Sequence, residues 1–102
     1  MSEIVNSADQ TIVKPGEDVV ASMAEAFKGE LLSAVDSSQG TLIIDLDGVN
    51  MVDSVGIGVI IAAHNSLSHS NRKLKVINVA QDIYGLFSTM RLNRRFTVEA
   101  SQ

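Results

Sequence analysis

The chain contains no cysteine and no tryptophan, and only one proline occurs among its 102 residues. The absence of cysteine excludes a disulfide framework and a thiolate metal site. The longest apolar run, Val55–Ala63, is far shorter than the roughly 20 residues that a helix needs to span a bilayer. Residues Met1–Gln10 lack the basic start and the apolar stretch of a signal peptide. These absences predict a cytoplasmic protein that is not inserted in a membrane.

Positive charge is also scarce. The chain has 8 Lys and Arg residues against 12 Asp and Glu residues, and its formal net charge is −4. Binding to a nucleic-acid backbone requires a clustered basic face, so we predict no nucleic-acid partner. The one basic cluster, Arg91, Arg94 and Arg95, closes a helical pattern, where cations stabilise the negative end of the helix dipole. We assign it that role, with docking of an acidic partner as the alternative.

What the chain does contain is an ordinary globular composition, with 45% apolar and 20% charged residues. Its length suits a single domain, which we place at residues 1–102, with a core from Thr11 to Glu99 after a short flexible N-terminus. Apolar residues form four short runs and recur every three or four residues between them. The predicted strands are Thr11–Val13, Leu42–Ile44, Leu74–Val79 and Phe96–Val98, and the predicted helices begin near Glu17, Val55 and Asp82.

The helical spacing also predicts which side chains face the core. In the second helix these are Ile57, Ile60, Ile61, His64 and Leu67, and in the third they are Ile83, Leu86, Phe87 and Met90. Strands separated by helices pair in parallel through right-handed crossovers. The predicted fold is therefore α/β, with a small, mostly parallel or mixed sheet flanked by about three to four helices.

The segment between the second strand and the second helix carries the functional information. Ser54 falls where the helix begins, so its hydroxyl is predicted to cap the helix, a role worth about 1 kcal/mol. Free N–H groups and the positive end of the helix dipole favour a phosphate at the same place. Gly56 and Gly58 leave the first turn with little side-chain cover, so a partner could approach its backbone. Tight packing of the helix on the sheet is the alternative role for both glycines.

Residues Leu42–Gly58 resemble the signature of STAS domains, in which an apolar strand, Asp-Leu and a short link lead to Asp-Ser-x-Gly-x-Gly at a helix start. The resemblance continues through Leu74–Val79, a strand that ends in Asn-Val, and through Ile83–Leu92, a helix that ends in Met-Arg-Leu. It covers most of the chain after the first helix, and it implies a single STAS domain.

The resemblance is to the anti-sigma factor antagonists of that family, and it implies phosphorylation at Ser54. It implies that the unphosphorylated protein binds an anti-sigma factor, which is itself a serine kinase of the histidine-kinase-like ATPase fold. It also implies that the phosphorylated protein releases this kinase. A PP2C-type phosphatase would reset the switch. Asp53 would position the serine hydroxyl and contribute to kinase recognition, with a solvated turn residue as the alternative. The implied partner-binding residues are Asp53, Ser54, Val55, Gly56, Ile57 and Gly58.

Two features depart from the family pattern. Antagonists usually carry Gly-x-Leu-Asp after the early strand, where this chain has Lys14–Val20, so Glu17 or Asp18 is the candidate for the family's partner-binding aspartate. Val55 stands where serine or threonine is common. Within the same family, an accessory subunit of an ABC-type lipid transporter, a stress-sensing scaffold and a nucleotide-binding sensor module are alternative functions.

Other kinds of site fit the sequence less well. A nucleophile elbow, Gly-x-Ser-x-Gly, would need glycine where Val52 stands, and nothing places His64 or His69 near Ser54. The dinucleotide fingerprint would need a third glycine where Ile61 stands. A phosphoaspartate receiver needs acidic residues at an earlier strand end, and the first strand here offers none. Asp45, Asp47 and Asp53 are therefore predicted to be turn and cap residues. We therefore predict no catalytic residue, no metal site and no cofactor.

Overall fold

A computed structural model describes residues 1–102 and contains five strands and three α-helices. The strands are β1 (Glu3–Asn6), β2 (Gln10–Lys14), β3 (Thr41–Asp45), β4 (Leu74–Val79) and β5 (Thr97–Ala100). The helices are α1 (Ala21–Ser37), α2 (Ser54–Ser68) and α3 (Gln81–Thr89), and a 3₁₀ turn covers Leu92–Arg94. The α/β fold class predicted from the sequence is confirmed.

The strands lie side by side in chain order, β1-β2-β3-β4-β5. β1 runs antiparallel to β2, and the other three pairs are parallel. Ile12 pairs with Ile43, and Ile43 in turn pairs with Lys75. A helix connects each parallel pair, and because such crossovers are right-handed, strands added in one direction place all the helices on one face of the sheet.

The core lies between that sheet face and the helices. Val13, Ile44 and Val76 point to this face and are fully buried, as are Phe27 of α1 and Phe87 of α3. Burying side chains of this size contributes about 1.5–3 kcal/mol each. They belong to one cluster of buried side chains that includes residues from all three helices. No helix is both long enough and apolar enough to cross a membrane.

The N-terminus differs from the prediction. The sequence predicts a short flexible segment before Thr11, whereas the structure has β1 there. All four residues of β1 are exposed, so this edge strand lacks the apolar alternation by which a strand is recognised. Ser2 ties the segment to α1, because its backbone N–H and its hydroxyl donate to the two carboxylate oxygens of Glu30 at 2.9 and 2.8 Å.

The inward face of α2 is wider than its spacing predicts. Ile57, Ile60 and Leu67 are buried as expected, while Ile61 and His64 are only partly buried. The buried face also includes Gly56, Val59 and Ala63, which the spacing of the larger apolar residues did not indicate.

The inward face of α3, by contrast, is narrower than predicted. Ile83 is buried, but Leu86 and Met90 are 37% and 46% exposed, because α3 lies at the β5 edge of the sheet and its main contacts are with β5 and the 3₁₀ turn. Assigning the three arginines to the dipole of α3 is wrong, since the helix ends at Thr89 with no basic residue in its last turn. Arg91 follows with left-handed backbone, φ 61°, and leads the chain into the 3₁₀ turn.

Candidate partner-binding surface

The starts of α1 and α2 lie next to each other. Val19, just before α1, and Val52, just before α2, form an isolated parallel bridge. The N–H of Val19 donates to the carbonyl of Met51 at 2.9 Å, and the N–H of Asp53 donates to the carbonyl of Val19 at 3.2 Å. These bonds hold the two segments side by side, so both helices begin at the same end of the molecule.

Asp53 caps both helices with one carboxylate. Its Oδ1 accepts a hydrogen bond from the backbone N–H of Gly56 at 2.9 Å, and its Oδ2 accepts one from the N–H of Ala21 at 2.9 Å. Val20 precedes α1 and has no side-chain acceptor to offer, so Asp53 supplies the missing cap from across the structure. The prediction that Ser54 caps α2 is therefore wrong, because Ser54 is the first helical residue and Asp53 is the cap.

These hydrogen bonds also determine the charge at the site. The N–H of Gly56, and after it the N–H of Ala21, lower the pKa of Asp53 from its ordinary value of 3.8, because both bonds favour the ionised carboxylate. Asp53 is therefore negatively charged at neutral pH. The alternative role of a solvated turn residue does not fit a carboxylate with two backbone partners.

A second carboxylate orders the loop that leads to α2. Oδ1 of Asp18 accepts hydrogen bonds from the backbone N–H groups of Asn50 and Met51, at 2.9 and 3.1 Å. Glu17 instead lies 3.5 Å from the terminal amino group of Met1. Of the two acidic residues that could stand for the family's early aspartate, Asp18 is the one in contact with the loop before Ser54.

The Ser54 hydroxyl is exposed and makes no hydrogen bond within the chain. Its position at the first turn of α2 places it at the positive end of the helix dipole. The adjacent Val55 is 47% exposed, and Met51 is 56% exposed. An accessible hydroxyl beside two uncovered apolar side chains is an arrangement that a partner protein can cover.

The other predicted site residues divide into buried and accessible ones. Gly56 and Ile57 are buried, whereas Gly58 is exposed. A Cβ at Gly56 would overlap the carbonyl oxygen of Val19, while a Cβ at Gly58 would meet nothing within 4 Å. Gly56 thus serves tight packing, and only Gly58 leaves the backbone open to a partner. We use the name Ser54 surface for the accessible set, which is Met51, Asp53, Ser54, Val55 and Gly58.

A shallow cavity of about 200 Å³ between α1 and α2 adjoins the Ser54 surface. Val55 and Gly58 line it on one side, and Glu25 and Lys28 of α1 line it on the other. Neither these α1 residues nor Met51 was predicted from the sequence. Met51 lies between Val49 and Val52 in the same loop, so no sequence signal distinguishes it, and nothing in the sequence places α1 beside Ser54.

The remaining candidates lie outside this surface. Asp45 accepts from the N–H of Asp47 at 3.0 Å and from the side-chain amide of Asn78 at 2.9 Å, as a turn residue does. The ring of His64 lies 5.3 Å from that of Phe96, and His69 follows the opposite end of α2. No group of three His, Asp or Glu side chains is close enough to hold a metal ion.

The family model of the STAS domain matches residues 2–102 of the chain. A search of curated protein sequences finds no significant match. Among solved structures, a Thermotoga maritima protein described as a candidate anti-sigma factor antagonist gives a TM-score of 0.89 at 19% identity. That similarity covers 96% of this chain and 85% of the other.

Two further structures represent other relatives. The Bacillus cell fate determinant SpoIIAA in its phosphorylated form gives a TM-score of 0.75 at 14% identity, over 96% of this chain and 90% of its own. The murine anion transporter Slc26a9 gives 0.78 at 21% identity, over 96% of this chain and 17% of the transporter. At these identities the similarity shows the fold alone.

Proposed function

Since the chain belongs to the STAS domain family, as the segment Leu42–Gly58 predicts, we propose that it is an anti-sigma factor antagonist that works by partner switching. Unphosphorylated, it binds an anti-sigma factor that is a serine kinase of the histidine-kinase-like ATPase fold. Phosphorylation at Ser54 releases the kinase, and a PP2C-type phosphatase restores the binding form. The protein acts in the cytoplasm by binding and not by catalysis.

The observation that carries the proposal is the environment of the Ser54 hydroxyl. It is exposed, has no partner within the chain, and stands at the start of α2, three residues after Met51 and directly before Val55, whose side chains are both exposed. A kinase can reach such a hydroxyl without unfolding the helix. A partner that docks on the start of α2 and on the exposed Val55 would contact the same hydroxyl.

Phosphate at Ser54 would disrupt binding through charge and desolvation. It adds about −1.5 to −2 charges and three acceptor oxygens, next to a carboxylate at Asp53 that is already ionised at neutral pH. A partner that covers the combined negative charge of phosphate and carboxylate must desolvate it, which costs binding free energy. The fold itself tolerates the anion, because the positive end of the α2 dipole faces it. Release therefore requires no large conformational change.

Pull-down from host lysate with three baits tests the proposal. Wild type and Ser54→Ala should both retain a serine-kinase-type ATPase. Ser54→Asp should lose most of the kinase but not all of it, because one carboxylate mimics the phosphate only in part. Ser33→Asp is a matched control, because Ser33 is exposed on α1 and its hydroxyl makes no hydrogen bond. That control should bind like wild type.

The phosphorylation site is tested separately. The retained kinase is incubated with ATP and wild-type or Ser54→Ala protein, and the modified residue is identified by mass spectrometry. Phosphate on Ser54 of the wild type and none on Ser54→Ala is the expected result. Phosphate on another residue, or equal retention of the kinase by all four baits, would refute Ser54 as the switch.

The similarity to one part of the murine transporter favours a second candidate function. In that case the chain is an accessory subunit of a membrane transporter or a unit of a larger scaffold, and the Ser54 surface is a permanent contact. Copurification of a transporter ATPase or of a large assembly with all four baits would support this alternative.

A further inference from the structure

A second cavity lies at the opposite end of α2 from Ser54. Its volume is about 620 Å³, it is open to solvent, and it is lined by His64 and Ser68 of α2, by Tyr84 of α3 and by the starts of β4 and β5. α2 has 15 residues, and a rise of about 1.5 Å per residue puts its two ends about 20 Å apart. The cavity is therefore separate from the Ser54 surface.

Positive charge is concentrated around this cavity. Arg72, Lys73, Arg94 and Arg95 line it, which is half of the 8 Lys and Arg residues of the chain. None of the 12 Asp and Glu residues lines it, and none of the four cations forms an ion pair. The local field at the cavity is thus opposite in sign to the net charge of the protein.

One of the four cations is fixed in place and three are free. The guanidinium of Arg72 donates to the carbonyls of Gly40 and Val35 at 3.0 and 2.8 Å, and to the hydroxyl of Ser38 at 3.0 Å. These acceptors are neutral, so they hold the side chain without cancelling its charge. The other three side chains are exposed and make no hydrogen bond within the chain, which leaves their donors available to a ligand.

Neutral hydrogen-bonding groups complete the wall. The side chains of Asn93, Thr97 and Tyr84 line the cavity and have no hydrogen-bond partner within the chain. The ring of His64 also lines it, packed 5.3 Å from the ring of Phe96, and its Nδ1 is buried without a partner. A charged ligand would therefore meet both cations and neutral donors.

We infer that this cavity binds a small anion of the phosphate class that carries at least two negative charges. The planar guanidinium matches a phosphate bidentately, and a single carboxylate would leave most of the cationic charge unbalanced. A concave volume within the range of about 300–1,000 Å³ is typical of small-molecule sites. The ligand site is independent of the switch proposed at Ser54.

Titration of ¹⁵N-labelled protein with inorganic pyrophosphate, and separately with phosphate, tests the inference. Amide shifts that saturate should appear at Lys73, Arg94 and Thr97 and be absent at Ser54, with pyrophosphate binding more tightly than phosphate. The double variant Arg94→Gln/Arg95→Gln should bind about tenfold more weakly, because charge-assisted hydrogen bonds are lost. Lys14→Gln/Lys28→Gln changes the net charge equally and should bind like wild type.

Three outcomes would overturn the inference. Shifts of equal size around Lys14 and Lys28 would show a diffuse counterion atmosphere. Equal affinity of the Arg94→Gln/Arg95→Gln variant, with its other amide signals unchanged, would show that the cavity is not the site. Tighter binding of a hexaglutamate peptide than of pyrophosphate would assign the cavity to an acidic protein partner. All arms use the isolated protein, so none depends on the kinase.

Discussion

The same substitution at two glycines of α2 is expected to have opposite effects on stability. A Cβ at Gly56 would overlap the carbonyl oxygen of Val19 and come within 2.9 Å of its Cγ1. A Cβ at Gly58 would enter open space. Gly56→Ala therefore adds a methyl group against neighbouring backbone, and Gly58→Ala adds one to solvent-exposed helix.

The magnitude follows from what the new methyl group would displace. The peptide groups of Val19 are fixed by hydrogen bonds to Met51 and Asp53, so its oxygen cannot move without loss. Overpacking of this kind costs about 1–3 kcal/mol, and alanine gains at most about 1 kcal/mol over glycine in a helix. Because the overlap is with fixed backbone, the cost of Gly56→Ala lies in the upper half of that range, and subtracting the helix gain leaves a net loss of about 1–2 kcal/mol. For Gly58→Ala we expect a gain of up to about 1 kcal/mol.

Urea unfolding followed by far-UV circular dichroism measures both changes, since the chain has no tryptophan for fluorescence. In a domain of this size each 1 kcal/mol shifts Tm by about 4–8 °C, so the two variants should melt on opposite sides of wild type. Gly29→Ala on α1, where a Cβ also meets nothing within 4 Å, is a second control. A Gly56→Ala protein as stable as wild type would refute the close approach of α2 to Val19.

The remaining predictions concern the Asp-Ser pair. Ser54→Ala should leave the free energy of unfolding within about 0.5 kcal/mol of wild type, because its hydroxyl has no partner in the chain, while Asp53→Ala lowers it by removing the cap of α1 and α2. Urea unfolding at neutral pH measures both free energies of unfolding. A loss of stability that is larger for Ser54→Ala than for Asp53→Ala would contradict the capping geometry. Because the pKa of Asp53 lies below its ordinary 3.8, the stability from its charge is complete above that value and is lost as pH falls through the lower folded-state pKa. The stability gap between wild type and Asp53→Ala should therefore narrow over that acidic range, and a gap independent of pH would count against this origin.

The strands and helices of the core were predictable because each has either a period or a continuous apolar run. Ile57, Ile60 and Leu67 recur at helical spacing and are buried, and Leu42–Ile44 is a continuous apolar run in a central strand. β1 lacked any such signal, because an edge strand with no buried residue does not need alternating apolar and polar residues. The prediction of buried residues on α3 was wrong in part, because helical spacing does not reveal how much of the sheet a helix covers.

The candidate site was predictable in position but not in detail. Aspartate and serine are both good N-cap residues, so the sequence Asp53-Ser54 cannot decide which one caps α2. The N–H of Ala21, which is 32 residues away in sequence, binds the carboxylate in space and favours Asp53. The cationic cavity was equally hidden, because Arg72 and Arg94 meet only once β4 and β5 have paired.

The carboxylates of Asp18 and Asp53 make the Ser54 surface a product of complete folding. Asp18 binds Asn50 across 32 positions, and Asp53 binds Ala21 across the same separation, so neither tie forms until the intervening strand and helix are in place. A partly folded chain would not present the surface, so a partner would bind only native molecules. A partner present at about 100 times its Kd would stabilise those molecules by about 2.7 kcal/mol. Release by phosphorylation would withdraw that protection, so the lifetime of the protein against proteolysis would depend on its signalling state.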